Sequence, residues 1–312
     1  MITLPWLYAL AGAMFAAFSL LSALDRTNGK RFGNAAFWGL IAASFFAGDR
    51  FGDFGNGLLV LGLVALAGFG ALGRGDPPTT TSEARQQSAE ARGNRLFLPA
   101  LVIPAVALLG TLVLKNSGLV DPKQVTLVSL GLGVLLALAI CYLWLRPPVL
   151  APLQEGRRLM DSVGWAAVLP QMLAALGAVF ALAGVGEVVG GIAGQIIPAG
   201  SLLAAVAVYG FGMALFTMIM GNAFAAFPVM TAAVGLPILI RGFGGDPAVI
   251  CAIGMLAGFC GTLMTPMAAN FNIVPAALLD LKDRNAVVKV QVGTAVPLLF
   301  CNIALIYFLG FR

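Results

Sequence analysis

The sequence predicts an all-α polytopic membrane protein of about eight transmembrane helices, with a re-entrant hairpin and a discontinuous helix in its C-terminal half. Three observations lead there. Only 10% of the 312 residues are charged and 60% are hydrophobic, with a mean hydropathy of +0.97, whereas a soluble domain of this length needs far more surface charge. Long apolar runs occur at 4–24, 34–47, 57–72, 96–114, 124–145, 163–185, 201–240, 248–264 and 290–309. These runs are continuously apolar and rich in Ala, Leu and Gly, so they read as helices and not as the alternating strands of a membrane barrel.

The basic residues mark topology. Thirteen fall in the clusters Arg26, Lys30, Arg31; Arg74, Arg85, Arg92, Arg95; Arg146, Arg157, Arg158; and Lys282, Arg284, Lys289. The intervening connections hold only Arg50, Lys115, Lys123, Arg241 and Arg312. The positive-inside rule makes the four clusters cytoplasmic and puts the N-terminus outside. No basic residue precedes the first run, which argues against a cleaved signal peptide. The net charge of +5 is therefore read as topology, and no nucleic-acid partner is expected.

Two sections follow from the connectors. Residues 74–95, "RGDPPTTTSEARQQSAEARGNR", form a solvated cytoplasmic linker with a short helix expected over 82–92. Residues 145–158, "LRPPVLAPLQEGRR", form a Pro-rich cytoplasmic connector. Residues 1–158 are accordingly expected as a five-helix scaffold bundle and 159–312 as the section that carries function. In the second section, 201–240 enters and returns, as a re-entrant hairpin or as two spans. If 248–281 crossed twice, Lys282, Arg284 and Lys289 would lie outside, so one discontinuous helix is expected there.

Polar breaks interrupt the most apolar stretches, "FTMIMGNAFAAFPVM" (216–230) and "TLMTPMAANFNIVP" (262–275). Pro228, Pro266 and Pro275 each lack an N–H and free carbonyls that must find partners away from water. Breaks are thus expected over 220–228 and 265–275, lining an enclosed space. Half-helix N-termini in such a space suit an anion, and half-helix C-termini suit a small cation. Asn222, Asn270 and Asn272 supply amides, and Thr217, Thr231, Thr262 and Thr265 supply hydroxyls, so these seven are the candidate substrate- and ion-binding residues. Thr217 to Asn222 and Thr265 to Asn270 share Thr-x4-Asn, which suggests an internal repeat.

Other features carry less chemistry. The chain has no His, and Cys141, Cys251, Cys260 and Cys301 sit singly in apolar runs, so no catalytic site, metal cluster or resident cofactor is expected beyond a Na⁺ ion at the breaks. Gly186-x3-Gly190-x3-Gly194 reads as close helix packing in an extracytoplasmic stretch, Gln171 as a packing residue and Glu187 as a solvated interface residue. Runs without a central charge argue against a pump or voltage sensor.

The stretches "SVGWAAVLPQMLAALGAVFALAGVG" (162–186), "MGNAFAAFPVMTAAVGLPIL" (220–239) and "CGTLMTPMAANFNIVPAALL" (260–279) resemble a bacterial membrane family known as domain of unknown function 979. That resemblance implies a bacterial cytoplasmic (inner) membrane and a smaller co-encoded membrane protein as partner. It also implies a setting near enzymes that handle 5-oxoproline. The paired breaks look like those of carboxylate transporters of the ion-transporter superfamily, which would place Thr217 and Asn222 on a hairpin tip and Thr265, Asn270 and Asn272 on a broken helix. Those transporters carry two inverted copies of the unit and this chain shows one, so either the co-encoded protein supplies the other half in a hetero-oligomer, or the chain pairs with itself as a homodimer, or 201–240 is not a hairpin.

The expected function is a secondary transporter or transporter subunit for a small organic anion, such as 5-oxoproline, coupled to Na⁺ or H⁺. The alternative is a non-transporting membrane scaffold or assembly subunit, whose breaks dock a partner.

Overall fold

A computed structural model of the chain describes residues 3–76, 80–115, 117–279 and 281–311, and leaves the side chains of 170, 174, 277 and 278 undescribed. Pro77, Pro78 and Thr79 of the expected linker lie outside the described residues. The described residues are helices joined by turns, and eight helical segments among them are long and apolar enough to cross a membrane. The protein is an all-α, multi-pass membrane protein. It divides into two compact units, Met1–Gly164 and Trp165–Arg312.

The first unit contains α1 (Leu4–Leu24), α2 (Arg31–Gly68), α3 (Ser82–Arg92), α4 (Leu98–Leu114), α5 (Val125–Leu145) and α6 (Ala151–Val163). A straight helix of 38 residues would be about 57 Å long, nearly twice the hydrocarbon thickness, and α2 does not run straight. Gly52 sits at φ 62° and ψ −177°, a backbone region open essentially only to glycine, and turns the chain back. The arms then pair antiparallel. A methyl group on Gly33 would strike the Ala71 carbonyl, one on Gly62 would lie 3.5 Å from Leu40, and Asn56 Nδ2 donates to the Gly48 carbonyl at 2.8 Å. The apolar runs expected at 34–47 and 57–72 are these two arms.

A pair of similar elbows follows. Both α3 and α6 end on a glycine at positive φ, Gly93 at 51° and Gly164 at 56°. Each continues through a 3-10 turn, Gly93–Phe97 or Gly164–Val168, and each apolar helix that follows begins with Leu-Pro. Proline suits that first turn because its missing N–H would have no helical partner there.

Buried charge fastens the unit where α6 meets α1. Arg157, 4% exposed, donates to the Leu21 carbonyl at 2.9 Å and pairs with Asp25 at 3.0 Å. Asp161 accepts from Asn34 Nδ2 at 2.9 Å and Trp38 Nε1 at 2.7 Å, while Asn34 also holds both backbone groups of Gly73. Burial pushes the Asp25 carboxyl up, but hydrogen bonds from Thr27 and the Arg157 guanidinium outweigh it and hold the group below its ordinary value.

The second unit contains α7 (Leu169–Leu182), α8 (Val185–Ile196), α9 (Leu202–Met220), α10 (Ala223–Met230), α11 (Pro247–Leu263), α12 (Ala269–Leu278) and α13 (Ala286–Leu309). The stretch 186–201, expected as an extracytoplasmic connection, is largely the helix α8. Its glycines do serve close packing: methyl groups on Gly186 and Gly190 would lie 3.0 Å from Ala232 and from the Ala233 carbonyl. Gly194 meets nothing within 4 Å, and both Gln171 and Glu187 are exposed.

Residues 201–240 form a helical hairpin, with α9 as one arm and α10 continuing into a π-helix, Thr231–Gly242, as the other. The arms are 19 and 20 residues long, about 28–30 Å each, the thickness of a hydrocarbon core. Tyr209 on the first arm meets Thr231 and Gly235 on the second, which fixes their antiparallel pairing. α11 runs alongside α9 in the same direction, so that Gly254 faces Tyr209, Gly258 faces Met213 and Gly261 faces Ala214. α13 closes this bundle, with Asn302 Nδ2 on Cys260 Sγ at 3.5 Å and the Asp246 N–H on the Gly310 carbonyl at 2.7 Å.

One prediction concerns the Asp25–Arg157 pair. Its folded-state pKa is lowered, so its contribution is present above the unfolded carboxylate value of about 4 and fades as pH falls through the folded value. Asp25→Asn strands a buried guanidinium and should cost about 3 kcal/mol at neutral pH. Thermal unfolding in detergent should show the variant melting lower at pH 7 and losing less on acidification than the wild type.

Candidate functional site

Both expected breaks exist, but they are shorter than the sequence suggests. Helix resumes at Ala223 and Ala269, so Pro228 and Pro275 lie inside α10 and α12 and not in the breaks. The π-helix that begins at Thr231 contains a further proline, Pro237. The first break is therefore only Gly221 and Asn222, and the second is Met264 to Ala268.

Local chemistry explains each break. Gly221 adopts φ 77°, the left-handed conformation that ends α9, and its N–H returns to the Thr217 carbonyl at 2.7 Å. Asn222, extended at φ −157°, then caps α10 by accepting from the Phe224 N–H at 2.7 Å. At the second break the Thr265 hydroxyl accepts from the Met267 N–H at 3.2 Å and donates to the Met218 carbonyl at 2.9 Å. That last bond ties the two breaks together. A methyl group on Gly221 would come within 2.5 Å of the Met267 carbonyl, so the breaks touch backbone to backbone.

Asn272 completes the junction. Fully buried, it donates through Nδ2 to the carbonyls of Thr262 and Thr265, both at 2.7 Å. Two carbonyl partners fix which end of the amide is nitrogen, and the free end is therefore an oxygen, enclosed and without a partner. By the same logic the free end of Asn222 is its nitrogen, also enclosed and unpartnered. Thr217 Oγ1 is buried without a partner against the glycine face of α11, 3.4 Å from where a methyl on Gly258 would sit.

Five of the seven expected site residues thus meet at one place: Thr217, Asn222, Thr262, Thr265 and Asn272. Asn270 is half-buried with an enclosed, unpartnered Oδ1. It lies two residues from Asn272, roughly 200° around the helix, and so faces another side. Thr231 is not at the junction, since its hydroxyl lies opposite the Tyr209 hydroxyl at 3.4 Å, further along the second arm. The two Thr-x4-Asn matches also differ in register: Asn222 precedes its helix as the cap, whereas Asn270 is the second residue of its own.

Some contributors were not among the expected residues. Gly254, Gly258 and Gly261 let α11 approach α9, and Gly254-x3-Gly258 is a small-residue spacing that could have signalled it. The Met218 carbonyl has no side-chain signature. Gln291 Oε1 on α13 is a further enclosed, unpartnered oxygen, with no contact that ties it to the breaks.

The junction is electrically neutral. Between 201 and 279 the only charged residues are Arg241 and Asp246, at the opposite ends of the helices that lead to the breaks. Among the described residues no cluster of His, Cys, Asp and Glu could hold a metal ion. What the junction offers is dipolar: the N-termini of α10 and α12, the C-termini of α9 and α11, and the free ends of two amides and a hydroxyl. A cavity of about 570 Å³ reaches the junction at Met218 and Met264 and is otherwise lined by apolar side chains including Val189, Ile192, Val208, Phe211 and Leu299, so it borders the breaks without adding polar chemistry.

The chain matches a family model described as "Protein of unknown function (DUF979)" over residues 5–311. It belongs to that family. No curated protein and no solved structure matches it.

Replacing Asn272 tests the junction's construction. Asn272→Ala leaves two buried carbonyls without donors and should destabilise the second unit by about 2 kcal/mol or more. Asn272→Asp cannot donate to both carbonyls and should do no better. Melting of either variant at the wild-type temperature in detergent would show that these two bonds do not hold the break.

Proposed function

We propose that this protein is a secondary transporter, or the subunit of one, for a small organic anion such as 5-oxoproline. It is coupled to Na⁺ or H⁺, works with a second membrane protein, and sits in a bacterial cytoplasmic membrane with its N-terminus outside. One observation carries the reading: two helix breaks meet within an apolar bundle and leave enclosed polar atoms without partners. A junction made only for packing would be expected to satisfy its own amides, because each unpaired group away from water costs roughly 1–3 kcal/mol. Unspent capacity of this kind suits a solute that comes and goes.

The donor side of the junction supports an anion. Asn222 Nδ2 is free, and the α10 N-terminus beside it directs peptide N–H groups and the positive end of the helix dipole to the break. A single carboxylate fits neutral donors better than a multiply charged anion, for which an Arg or Lys would be needed nearby. The carboxylate's identity as 5-oxoproline rests on the family resemblance alone.

Uptake of labelled 5-oxoproline, with and without Na⁺, should be measured in cells expressing the chain with its co-encoded membrane partner. Wild type, Asn222→Ala and Asn270→Ala are compared at matched membrane levels. Asn222→Ala removes the free donor at the junction and should lower uptake about tenfold. Asn270→Ala, on the side of α12 that faces away from the junction, should leave uptake near the wild-type level. Uptake unchanged in Asn222→Ala would favour the scaffold reading, and wild-type cells without uptake would remove 5-oxoproline as the substrate.

A further inference from the structure

We propose that the first unit binds an anionic phospholipid, with the lipid phosphate on Lys30 and Arg31 and one acyl chain in the groove between the two arms of α2. The proposal is independent of the transport reading, which concerns the second unit.

The groove is an open space of about 390 Å³ lined by Leu40, Gly62, Ala65, Leu66, Phe69 and Ala71. Three of these six are Gly or Ala, so the arms meet there without side chains long enough to fill the space. From Phe69 to Gly62 the groove follows the second arm for about 10 Å, roughly two-thirds of one leaflet's hydrocarbon. Its lining has no charged or hydrogen-bonding side chain, so the occupant that fits is a hydrocarbon chain.

The mouth of the groove is basic. Start and end of α2 meet there, since a methyl group on Gly33 would strike the Ala71 carbonyl. Lys30 lies across this meeting point. Its Nζ is 4.0 Å from where a methyl on Gly70 would sit, and Gly70 stands between the lining residues Phe69 and Ala71. Next to it in the chain, the Arg31 guanidinium stands over the Phe32 ring, 4.6 Å from its centroid. Neither cation has a carboxylate partner: among the described residues the ion pairs are Arg157 with Asp25, Arg158 with Glu155 and Lys289 with Asp283. Asp25, the acid nearest in sequence, is held by Arg157 and Thr27. Phe32 and Phe69 are 67% and 91% exposed where α1 and both arms of α2 end, the level of a bilayer's headgroups.

Two unpaired cations at the head of a hydrocarbon-lined groove match a molecule with a negative head and an apolar chain. Free phosphate would leave the groove unused. A zwitterionic lipid carries its own cation beside the phosphate and gains less from Lys30 and Arg31.

The test is native mass spectrometry of the full chain in detergent, titrated with dioleoyl phosphatidylglycerol, dioleoyl phosphatidylcholine or glycerol phosphate. Phosphatidylglycerol should bind about tenfold more tightly than phosphatidylcholine, or better. Lys30→Gln combined with Arg31→Gln should weaken its binding about thirtyfold, at about fivefold for each charge. Lys30→Arg combined with Arg31→Lys keeps both charges and should keep the binding, which separates loss of charge from damage to the fold. Lys282→Gln combined with Arg284→Gln removes two exposed charges from another basic cluster and should change nothing. Ala65→Phe fills the groove from an exposed position and should weaken phosphatidylglycerol binding about tenfold at an unchanged melting temperature. Equal binding of the two lipids overturns the site, as does full binding by Ala65→Phe. So does an equal loss in the Lys282 and Arg284 pair, or a loss in the charge-retaining pair as large as in the glutamine pair. Glycerol phosphate bound as tightly as the lipid would assign the cations to free phosphate and overturn the lipid.

Discussion

Every peptide group buried away from water must find a partner inside the protein, and the second unit is arranged around one consequence of that rule. Ending two helices at a buried junction releases carbonyls at one end and N–H groups at the other. The two breaks resolve this by being placed against each other. Thr265 serves a carbonyl of α9, Asn272 serves two of α11 and its break, and Asn222 serves the first turn of α10. Remove the contact and each break becomes a set of orphaned backbone groups. The closeness this requires comes from glycine: Gly258 and Gly261 admit α9, and Gly221 admits the Met267 carbonyl, at distances where any side chain would collide.

Much of this was legible in the sequence because membrane helices announce themselves by length and composition. The spans, the helix over 82–92 and the existence of a discontinuous helix in 248–281 needed only apolar runs, charge clusters and turn residues. Where the breaks stop was not legible. Proline is read as a helix breaker, yet Pro228 and Pro275 both lie inside helices, as membrane helices tolerate. α8 was missed since its 12 residues are too few to cross and its glycines resemble a connection. The pairing of α9 with α11 depends on contacts between segments about fifty residues apart, which a single sequence does not state.

The first unit shows how glycine is used differently on the other side of the chain. Gly52, Gly93 and Gly164 all adopt positive φ with strongly negative ψ, a region in which a Cβ is not tolerated. Gly52 folds α2 back on itself, while Gly93 and Gly164 end α3 and α6. The elbows at Gly93 and Gly164 share the same 3-10 continuation and the same Leu-Pro helix start, although the helices before them differ in character. α3 is polar throughout and has no buried residue, whereas α6 is amphipathic and buries Arg157. A shared elbow with unlike arms points to a geometric requirement on how an apolar helix begins, independent of what precedes it.

Neutrality at the junction follows from the same constraint. A carboxylate or ammonium held among apolar helices would need a counter-charge, and between 201 and 279 the chain's charges lie only at the far helix ends. Under the transport reading proposed above, amides, a hydroxyl and helix ends avoid that difficulty, since their partial charges can orient a solute and still release it. The unpartnered atoms, Asn222 Nδ2 at the α10 cap and Thr217 Oγ1 and Asn272 Oδ1 beside it, are what a packing role alone leaves without an explanation.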